Sequence, residues 1–179
     1  MQQNELWVFG YGSLLWRPGF EYVERRVATL LGFNRSFCMS SVHYRGTHAA
    51  PGLVLALDPD QSGECQGVGF KVAPEMADET MAYLRERELI SSAYVEQRHA
   101  ITFNDGVKAD AVCYVMDQSH EQYVGGLSLT AQATIIAQAV GPAGPNDEYL
   151  FNTVAHLVEL GISDPDLEHL VELVSKTKV

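Results

Sequence analysis

A short apolar run followed by two closely spaced glycines is the feature that most restricts how this chain folds. Leu6–Phe9 predicts a buried strand that ends at a turn, because apolar runs of this length bounded by glycine are typical of core strands. Glycine lets the main chain approach a ligand closely, and consecutive N–H groups turned to one side form an anion-binding concavity. The candidate binding loop, called the glycine loop below, contains Gly10, Tyr11, Gly12, Ser13, Leu14 and Leu15.

One alternative interpretation of the glycines fails and another stays open. A dinucleotide-binding fingerprint needs a third glycine at position 15 and a helix that continues after it. Leu15 occupies that position, and Trp16-Arg17-Pro18-Gly19 interrupts a helix, so the sequence excludes a Rossmann site. The same glycines are compatible with a tight turn that binds no ligand.

Length and charge narrow the class of protein. A chain of 179 residues predicts one domain over residues 1–179 with a sizeable core. The formal net charge of −11 argues against nucleic acid and anionic membranes as partners, so we expect a small-molecule substrate. No apolar run is long enough to span a membrane and no signal-peptide pattern is present, which makes the cytosol the expected compartment. The sequence does not predict the oligomeric state.

The cysteines and histidines do not predict a metal centre or a covalent nucleophile. The three cysteines, Cys38, Cys65 and Cys113, are widely spaced in apolar segments, which favours buried thiols. The six histidines show no ligand spacing such as H-E-x-x-H. We therefore expect no metal ion.

Short strands come first and helices gather later, which predicts an α+β fold, a small bent sheet or barrel with helices packed outside. The predicted strands are Leu6–Phe9, Val27–Phe33, Arg35–Ser40, Leu53–Leu57, Cys65–Val72, Val95–Phe103 and Val107–Met116. The predicted helices are Pro74–Leu89, Leu129–Val140, one from an N-cap at Asn146 or Asp147 to Gly161, and one capped by Asp164. Asp58–Gly63 predicts a turn, Asn104-Asp105-Gly106 a hairpin, and Ser41–Gly52 a loop that either carries function or faces solvent.

One glutamate of the predicted helix Pro74–Leu89 continues its apolar side. At about 100° per residue, that side consists of Ala77, Met81 and Leu84. Glu88 is the next position on it, whereas Glu86 lies on the opposite, polar side. A buried carboxylate has a raised pKa, which suits a general acid and base near neutral pH. Fraying of the helix end, or pairing of Glu88 with Arg85 or Arg87, stays an alternative.

Four motifs follow one another along most of the chain, from Leu6 to Phe151. They are Phe9-Gly10-Tyr11-Gly12-Ser13-Leu14, then Ser41…Tyr44-Arg45-Gly46…Pro51-Gly52, then Arg87-Glu88 with Tyr94, and finally Gly141-Pro142…Asn146…Glu148-Tyr149-Leu150-Phe151. Together they resemble the ChaC family of γ-glutamylcyclotransferases, of the glutathione-specific type. The final helix is less diagnostic of this resemblance.

The resemblance implies a fold, an activity and a set of site residues. The fold is a γ-glutamylcyclotransferase-like small mixed β-barrel or bent sheet with surrounding helices, and no cofactor is used. The activity is that of a carbon–nitrogen lyase that cleaves the γ-glutamyl bond of glutathione to give 5-oxoproline and cysteinylglycine. Glu88 corresponds to the catalytic residue, Gly10–Leu15 to the loop that holds the γ-glutamyl group, and Tyr149 to a residue of the same pocket.

The chemistry of this reaction fits the residues present. The substrate's own α-amino group attacks its γ-carbonyl, so positioning matters more than a protein nucleophile. Glu88 takes a proton from the amine and returns one to the departing amine, while N–H groups around Tyr11 to Leu14 bind the α-carboxylate or the developing oxyanion. Ser13 has no adjacent histidine base, so we interpret it as a hydrogen-bonding residue. Tyr11 and Tyr149 are also compatible with a packing role.

One position departs from the family's pattern. Members that act on glutathione usually carry an arginine after the Pro51-Gly52 pair, and this chain has Leu53. Arg45 is the candidate to supply the missing charge to the substrate, and Arg87 either shares that role or supports Glu88. Two alternatives therefore stay open: a cyclotransferase that acts on other γ-glutamyl amides or peptides, and a non-catalytic module that binds small anions.

Overall fold

The computed structural model describes residues 5–90 and 92–178, which contain a closed β-barrel and four α-helices. The strands are β1 (Leu6–Gly10), β2 (Glu24–Ser41), β3 (Gly52–Val72), β4 (Tyr94–Phe103), β5 (Lys108–Met116), β6 (Val140–Gly141) and β7 (Gly144–Pro145). The helices are α1 (Ala77–Glu88), α2 (Leu129–Gln138), α3 (Asn146–Glu159) and α4 (Pro165–Thr177). The barrel has the strand order β1-β3-β2-β4-β5, and β6 pairs with β7 in a separate two-stranded sheet.

The chain divides into two compact units. The first unit contains the residues up to Arg35 together with Ala56–His120, and the second contains Ser36–Leu55 together with the residues from Glu121 onward. Strands β2 and β3 each contribute residues to both units. The interpretation of residues 1–179 as a single domain stays a prediction.

Strand β1 lies between two other strands of the first unit, so the glycine loop leaves the sheet from an interior position. It pairs antiparallel with β3, from Leu6 opposite Val72 to Gly10 opposite Val68, and parallel with β5. Strands β4 and β5 form the predicted hairpin, whose turn residue Gly106 has a φ of +86°. This part of the predicted strand pattern is confirmed.

Helix α1 packs on the barrel strands of the first unit through one apolar cluster. The cluster consists of Leu6, Val8, Leu14, Val72, Met81, Leu84, Val112 and Tyr114. Two of its members, Met81 and Leu84, belong to the predicted apolar side of the helix, which is therefore confirmed. Full burial of a side chain such as Leu84 contributes about 1.5–3 kcal/mol. Residues Pro74–Met76 form a 3₁₀ turn that leads into the helix.

Helices α2, α3 and α4 pack against one another in the second unit. The predicted N-cap of α4 is confirmed, because the side chain of Asp164 accepts a hydrogen bond from the N–H of Leu167 at 3.2 Å. The buried face of α4 presents Leu167, Leu170 and Val174. Helix α3 ends two residues before Gly161, which has the left-handed φ of +74° expected after a helix end.

The predicted boundaries inside β2 and β3 are wrong. Val27–Phe33 and Arg35–Ser40 belong to one continuous strand, and the predicted turn Asp58–Gly63 lies within β3, which therefore joins Leu53–Leu57 to Cys65–Val72. The physical reason is a close approach of the two strands. Asn34 Nδ2 donates to Asp60 Oδ2 at 2.7 Å, and a Cβ atom at Gly63 would lie only 2.7 Å from the carbonyl carbon of Phe33. Tertiary contacts thus override local turn chemistry.

Two predicted helix ends are also wrong. Helix α2 ends at Gln138 and not at Val140, because Val140-Gly141 pairs with Gly144-Pro145. The N-cap of α3 is Pro145, whereas Asn146 and Asp147 already lie inside the helix. The side chain of Asn146 cannot cap the helix because it hydrogen-bonds to the main chain of Leu53.

The three cysteines are free and buried, as predicted. Cys38 and Cys113 have no exposed surface, and Cys65 is 2% exposed. Within residues 5–90 and 92–178, no helix has both the length and the apolar composition needed to cross a membrane.

Candidate active site

The glycine loop leaves β1 at Gly10 and closes into a single 3₁₀ turn over Ser13–Leu15. Inside this turn the N–H of Leu15 donates to Gly12 O at 2.9 Å. The N–H groups of Gly12, Ser13 and Leu14 precede that bond, and the first N–H groups of a helical turn have no partner within it. A Cβ atom at Gly10 would lie 2.9 Å from Phe70 Cε2, so glycine is what allows this tight packing.

Tyr11 is a buried part of the loop. Its side chain is 7% exposed, and its hydroxyl donates to Tyr114 O at 3.4 Å. The main chain of Tyr11 is held from another direction, because Arg35 Nη1 donates to Tyr11 O at 3.3 Å and to Gln66 O at 2.7 Å. These contacts agree with the packing role left open for Tyr11, and its part in substrate binding stays a prediction.

Glu88 is the last residue of α1, and its side chain is only 14% exposed. Burial raises the pKa of the Glu88 carboxyl, and the positive charge of Arg87 opposes this shift. Arg87 Nε lies 3.5 Å from Glu88 Oε1, whereas Arg85 pairs with Glu96 instead. The alternative that Glu88 contacts Arg87 is thus realised, yet burial remains the larger influence on the pKa. Glu86 is exposed, as predicted.

Arg87 connects the glutamate to the glycine loop and its continuation. Its Nη2 donates to Ser13 Oγ at 3.1 Å, while Nη1 donates to Arg17 O at 2.6 Å and to Pro18 O at 3.1 Å. Ser13 and Glu88 therefore contact the same guanidinium group. Sequence reasoning missed these bonds, because the partners lie between 69 and 74 positions away and no local pattern marks them.

Tyr114 on β5 is a residue that sequence reasoning missed. Its hydroxyl donates to Glu96 Oε1 at 2.9 Å, and Arg85 holds the same carboxylate through two bonds of 3.1 Å. Burial, then the hydrogen bond and charge of Glu96, and then the charge of Glu88 raise the pKa of the Tyr114 hydroxyl. Arg85 in turn lowers the pKa of Glu96. The phenol therefore stays protonated and neutral at physiological pH.

The predicted residues Arg45 and Tyr149 meet in the second unit. Arg45 has a side chain only 5% exposed, and its Nη1 donates to Pro145 O at 3.0 Å and lies 3.8 Å from Glu148 Oε2. Its guanidinium carbon lies 5.7 Å from the centre of the Tyr149 ring. The Tyr149 hydroxyl accepts a hydrogen bond from the N–H of Leu55 at 3.1 Å.

Asn146 holds the main chain at the position where this sequence departs from the family's pattern. Its Oδ1 accepts from the N–H of Leu53, and its Nδ2 donates to Leu53 O, both at 2.8 Å. Leu53 itself is 2% exposed. Local sequence marked Asn146 as a helix cap, so its true partner was missed.

The structure thus gathers the predicted site residues into two groups. The glycine loop and Glu88 belong to the first unit, and Arg45 and Tyr149 to the second. That both groups bind one substrate stays a prediction. Among residues 5–90 and 92–178, no cluster of three or more histidine, cysteine, aspartate or glutamate side chains is arranged to hold a metal ion.

The fold is that of γ-glutamylcyclotransferases. A crystal structure of a γ-glutamyl cyclotransferase specific to glutathione from yeast matches with a TM-score of 0.86 and 26% sequence identity, covering 97% of both chains. A second crystal structure of a yeast protein with the same description matches with a TM-score of 0.86 at 27% identity, covering 98% of this chain and 100% of that one. The predicted fold class is therefore confirmed.

Sequence comparison identifies the family. The glutathione-specific γ-glutamylcyclotransferase of Escherichia coli (strain K12) is 34% identical over 174 residues, which span 97% of this chain and 74% of the relative. Glutathione-specific γ-glutamylcyclotransferase 1 of Homo sapiens is 34% identical over 173 residues, spanning 94% and 77%. The family model described as ChaC-like protein matches residues 6–177. The chain belongs to the ChaC-like protein family.

Proposed function

We propose that this protein is a γ-glutamylcyclotransferase that cleaves glutathione to 5-oxoproline and cysteinylglycine. Family membership supports the reaction, and relatives named as glutathione-specific enzymes at 34% identity support the substrate. The observation that carries the proposal is the environment of Glu88. Burial raises the pKa of this carboxyl, and the arginine beside it also binds the glycine loop.

Glu88 is the proposed proton carrier of the reaction. Its carboxylate accepts a proton from the α-ammonium group, and the freed amine forms a new C–N bond to the γ-carbonyl carbon. Collapse of the tetrahedral intermediate breaks the bond to the cysteine nitrogen, and that nitrogen receives the proton held by Glu88. The Glu88 carboxylate then transfers the surplus proton of the ring nitrogen to the released amine, which leaves 5-oxoproline, the ammonium group of cysteinylglycine and an ionised Glu88. A carboxyl with a raised pKa performs both transfers better than an ordinary one, because its proton affinity lies closer to neutral pH.

The glycine loop is the proposed site for the negative charge of the substrate. The N–H groups of Gly12, Ser13 and Leu14 are the donors that would bind the α-carboxylate or the oxyanion of the intermediate. Donors fixed in advance at such a position contribute about 3–4 kcal/mol each when removed one at a time in other enzymes. We assign Tyr149 to substrate binding as well, on the resemblance alone, and Arg45 because it is the candidate to supply the charge missing at position 53.

Position 53 supports a second substrate class. Leu53 stands where glutathione-acting members usually have an arginine, and its side chain is buried. Arg45 already donates to Pro145 O and lies beside Glu148. Its positive charge is therefore partly compensated within the protein. Other γ-glutamyl amides or peptides are therefore the alternative substrates.

We also propose that the enzyme works in the cytosol. Thiol-reducing systems keep both glutathione and protein cysteines reduced there. The free thiols of Cys38, Cys65 and Cys113 agree with such a compartment.

Release of 5-oxoproline from glutathione and from a panel of γ-glutamyl compounds tests the proposal. Glu88→Gln keeps the shape but removes the proton carrier, so kcat falls by about 10²–10⁴-fold. Glu86→Gln is the matched control, since it makes the same change on the exposed side of the same helix. Turnover retained in Glu88→Gln would remove Glu88 from the mechanism, and a panel without any 5-oxoproline would overturn the proposed activity.

A further inference from the structure

We propose that Arg87 is a positioning residue that holds the glycine loop and its continuation to Pro18 against the helix that carries Glu88. This inference rests on the proposed function, because it assigns Arg87 a part in the same reaction. It adds a residue that touches neither the γ-carbonyl nor the departing amine. Arg87 instead fixes the distance between the group that moves the proton and the amides that receive the substrate's charge.

The bonds of Arg87 match this role closely. A guanidinium group presents several N–H donors in a rigid planar fork, so it can bind several acceptors at fixed angles. Here the acceptors are Ser13 Oγ, Arg17 O and Pro18 O at 2.6–3.1 Å. Two of the three are main-chain carbonyls, which means that the position of the backbone itself depends on the arginine.

A second residue of α1 reinforces the same contact. Tyr83 lies one helical turn before Arg87, and its hydroxyl accepts a bond from Arg87 Nη1 at 3.0 Å. The same hydroxyl fills the space that a side chain at Gly19 would need, and Gly19 has a φ of +74°. Arg87 and Tyr83 therefore both hold the segment after the glycine loop against α1.

Arg87 also acts on Glu88 by charge. Among the described residues, Arg87 on the same helix acts on the Glu88 carboxyl through its charge. The charge of Glu88 in turn acts on the hydroxyl of Tyr114 on β5, which is bonded to Glu96 on β4. The positive charge of Arg87 lowers the pKa of Glu88 against the effect of burial. Loss of this charge would raise the pKa of Glu88 further.

Two substitutions separate the geometric contribution from the charge. Arg87→Lys keeps a positive charge but loses the planar set of guanidinium N–H donors, and Arg87→Gln loses both the charge and these donors. Hydrogen bonds from a charged donor are typically strong enough that losing them lowers kcat/KM for glutathione by about 10–100-fold in both variants. Only Arg87→Gln moves the acid limb of the kcat/KM profile to higher pH. Arg25→Lys, an exposed arginine of β2, is the matched control and leaves both quantities unchanged.

Two measurements without substrate distinguish a failure of this inference from a failure of the proposed function. Amide hydrogen exchange of residues 12–19 should accelerate in both Arg87 variants and not in Arg25→Lys. The carboxyl carbon of Glu88, followed by NMR during a pH titration, should titrate at higher pH in Arg87→Gln and at the wild-type pH in Arg87→Lys.

Each result decides between the two proposals. Unchanged exchange, with wild-type turnover in Arg87→Lys, overturns the role of Arg87 and leaves the proposed function standing. Faster exchange in a protein that releases no 5-oxoproline from any γ-glutamyl compound supports the positioning role and overturns the proposed function. If Arg87→Gln fails to fold, exchange and turnover in Arg87→Lys decide the question.

Discussion

The two compact units treat their buried charged side chains in opposite ways. In the first unit, burial raises the pKa of Glu88, so the protein disfavours its ionised form. In the second unit, the side chain of Arg45 is even less exposed, but it donates to the main chain at Pro145 and lies beside the half-exposed Glu148. Glu88 of the first unit is therefore a carboxyl ready to exchange a proton, whereas Arg45 of the second unit holds the backbone at Pro145.

Two other buried polar residues of the second unit follow the same rule. Asn146 satisfies both main-chain groups of Leu53, and Tyr149, almost one turn later on α3, binds the N–H of Leu55. Each contact replaces a hydrogen bond that a buried main chain would otherwise lose. Buried polar side chains thus have two kinds of role: a chemical one, as in Glu88, and a structural one, as in Asn146. Measurements of the free energy of unfolding distinguish the two roles.

The largest expected effect on stability comes from Asn146, a buried polar residue with a structural role. Asn146→Ala leaves the buried N–H and C=O of Leu53 without these bonds, so the free energy of unfolding should fall by about 2–5 kcal/mol. Denaturant unfolding measures this loss. Asn152→Ala, on the same helix, is the control and should change stability by less than about 0.5–1 kcal/mol. Equal losses in both variants would contradict the structural role of Asn146.

In the first unit, replacing a buried polar side chain should instead increase the free energy of unfolding. Because burial raises the folded-state pKa of Glu88 above its usual 4.5, the wild-type protein loses stability as the pH rises from about 4.5 to that folded-state value. Glu88→Gln has no such loss. Its free energy of unfolding should match the wild type near pH 4, exceed it increasingly as the pH rises, and keep a constant excess above the folded-state pKa of Glu88, while Glu86→Gln follows the wild type. A stability difference that does not vary with pH would refute this account of Glu88.

The smallest expected effect on stability concerns Tyr149, for which both a structural role and a substrate-binding role are proposed. Tyr149→Phe keeps the ring against Phe37, 5.9 Å away between centroids, but loses the bond to the N–H of Leu55. Unfolding should become easier by about 1 kcal/mol. If Tyr149 also binds substrate, KM for glutathione rises in the same variant. An unchanged KM would restrict Tyr149 to its structural role.

The sequence alone predicted those features that depend on local pattern. The apolar run into Gly10, the hairpin at Gly106 and the cap at Asp164 each rest on a few adjacent residues, and the structure has all three. The inward position of Glu88 was predictable for the same reason, because helical periodicity relates it to Leu84 and Met81 four and seven residues earlier.

What could not be predicted depends on contacts between distant residues. The aspartates, proline and glycine of Asp58–Gly63 have the local chemistry of a turn, but pairing beside Asn34 keeps the segment extended. Asn146 has the chemistry of a helix cap, but its side chain hydrogen-bonds to the main chain of Leu53 instead. The bonds of Arg87 to the glycine loop follow only from the docking of α1 on the barrel. A single sequence does not specify such pairings before the fold is known.

The hydrogen bonds from Asn146 to Leu53 also have a consequence for self-association. Unpaired main-chain groups along a strand are a template on which another chain can add and aggregate. Because a helix side chain occupies the N–H and C=O of Leu53, these two groups cannot recruit a strand from a neighbouring molecule. At Leu53, one amide side chain thereby closes the beginning of β3 to strand addition.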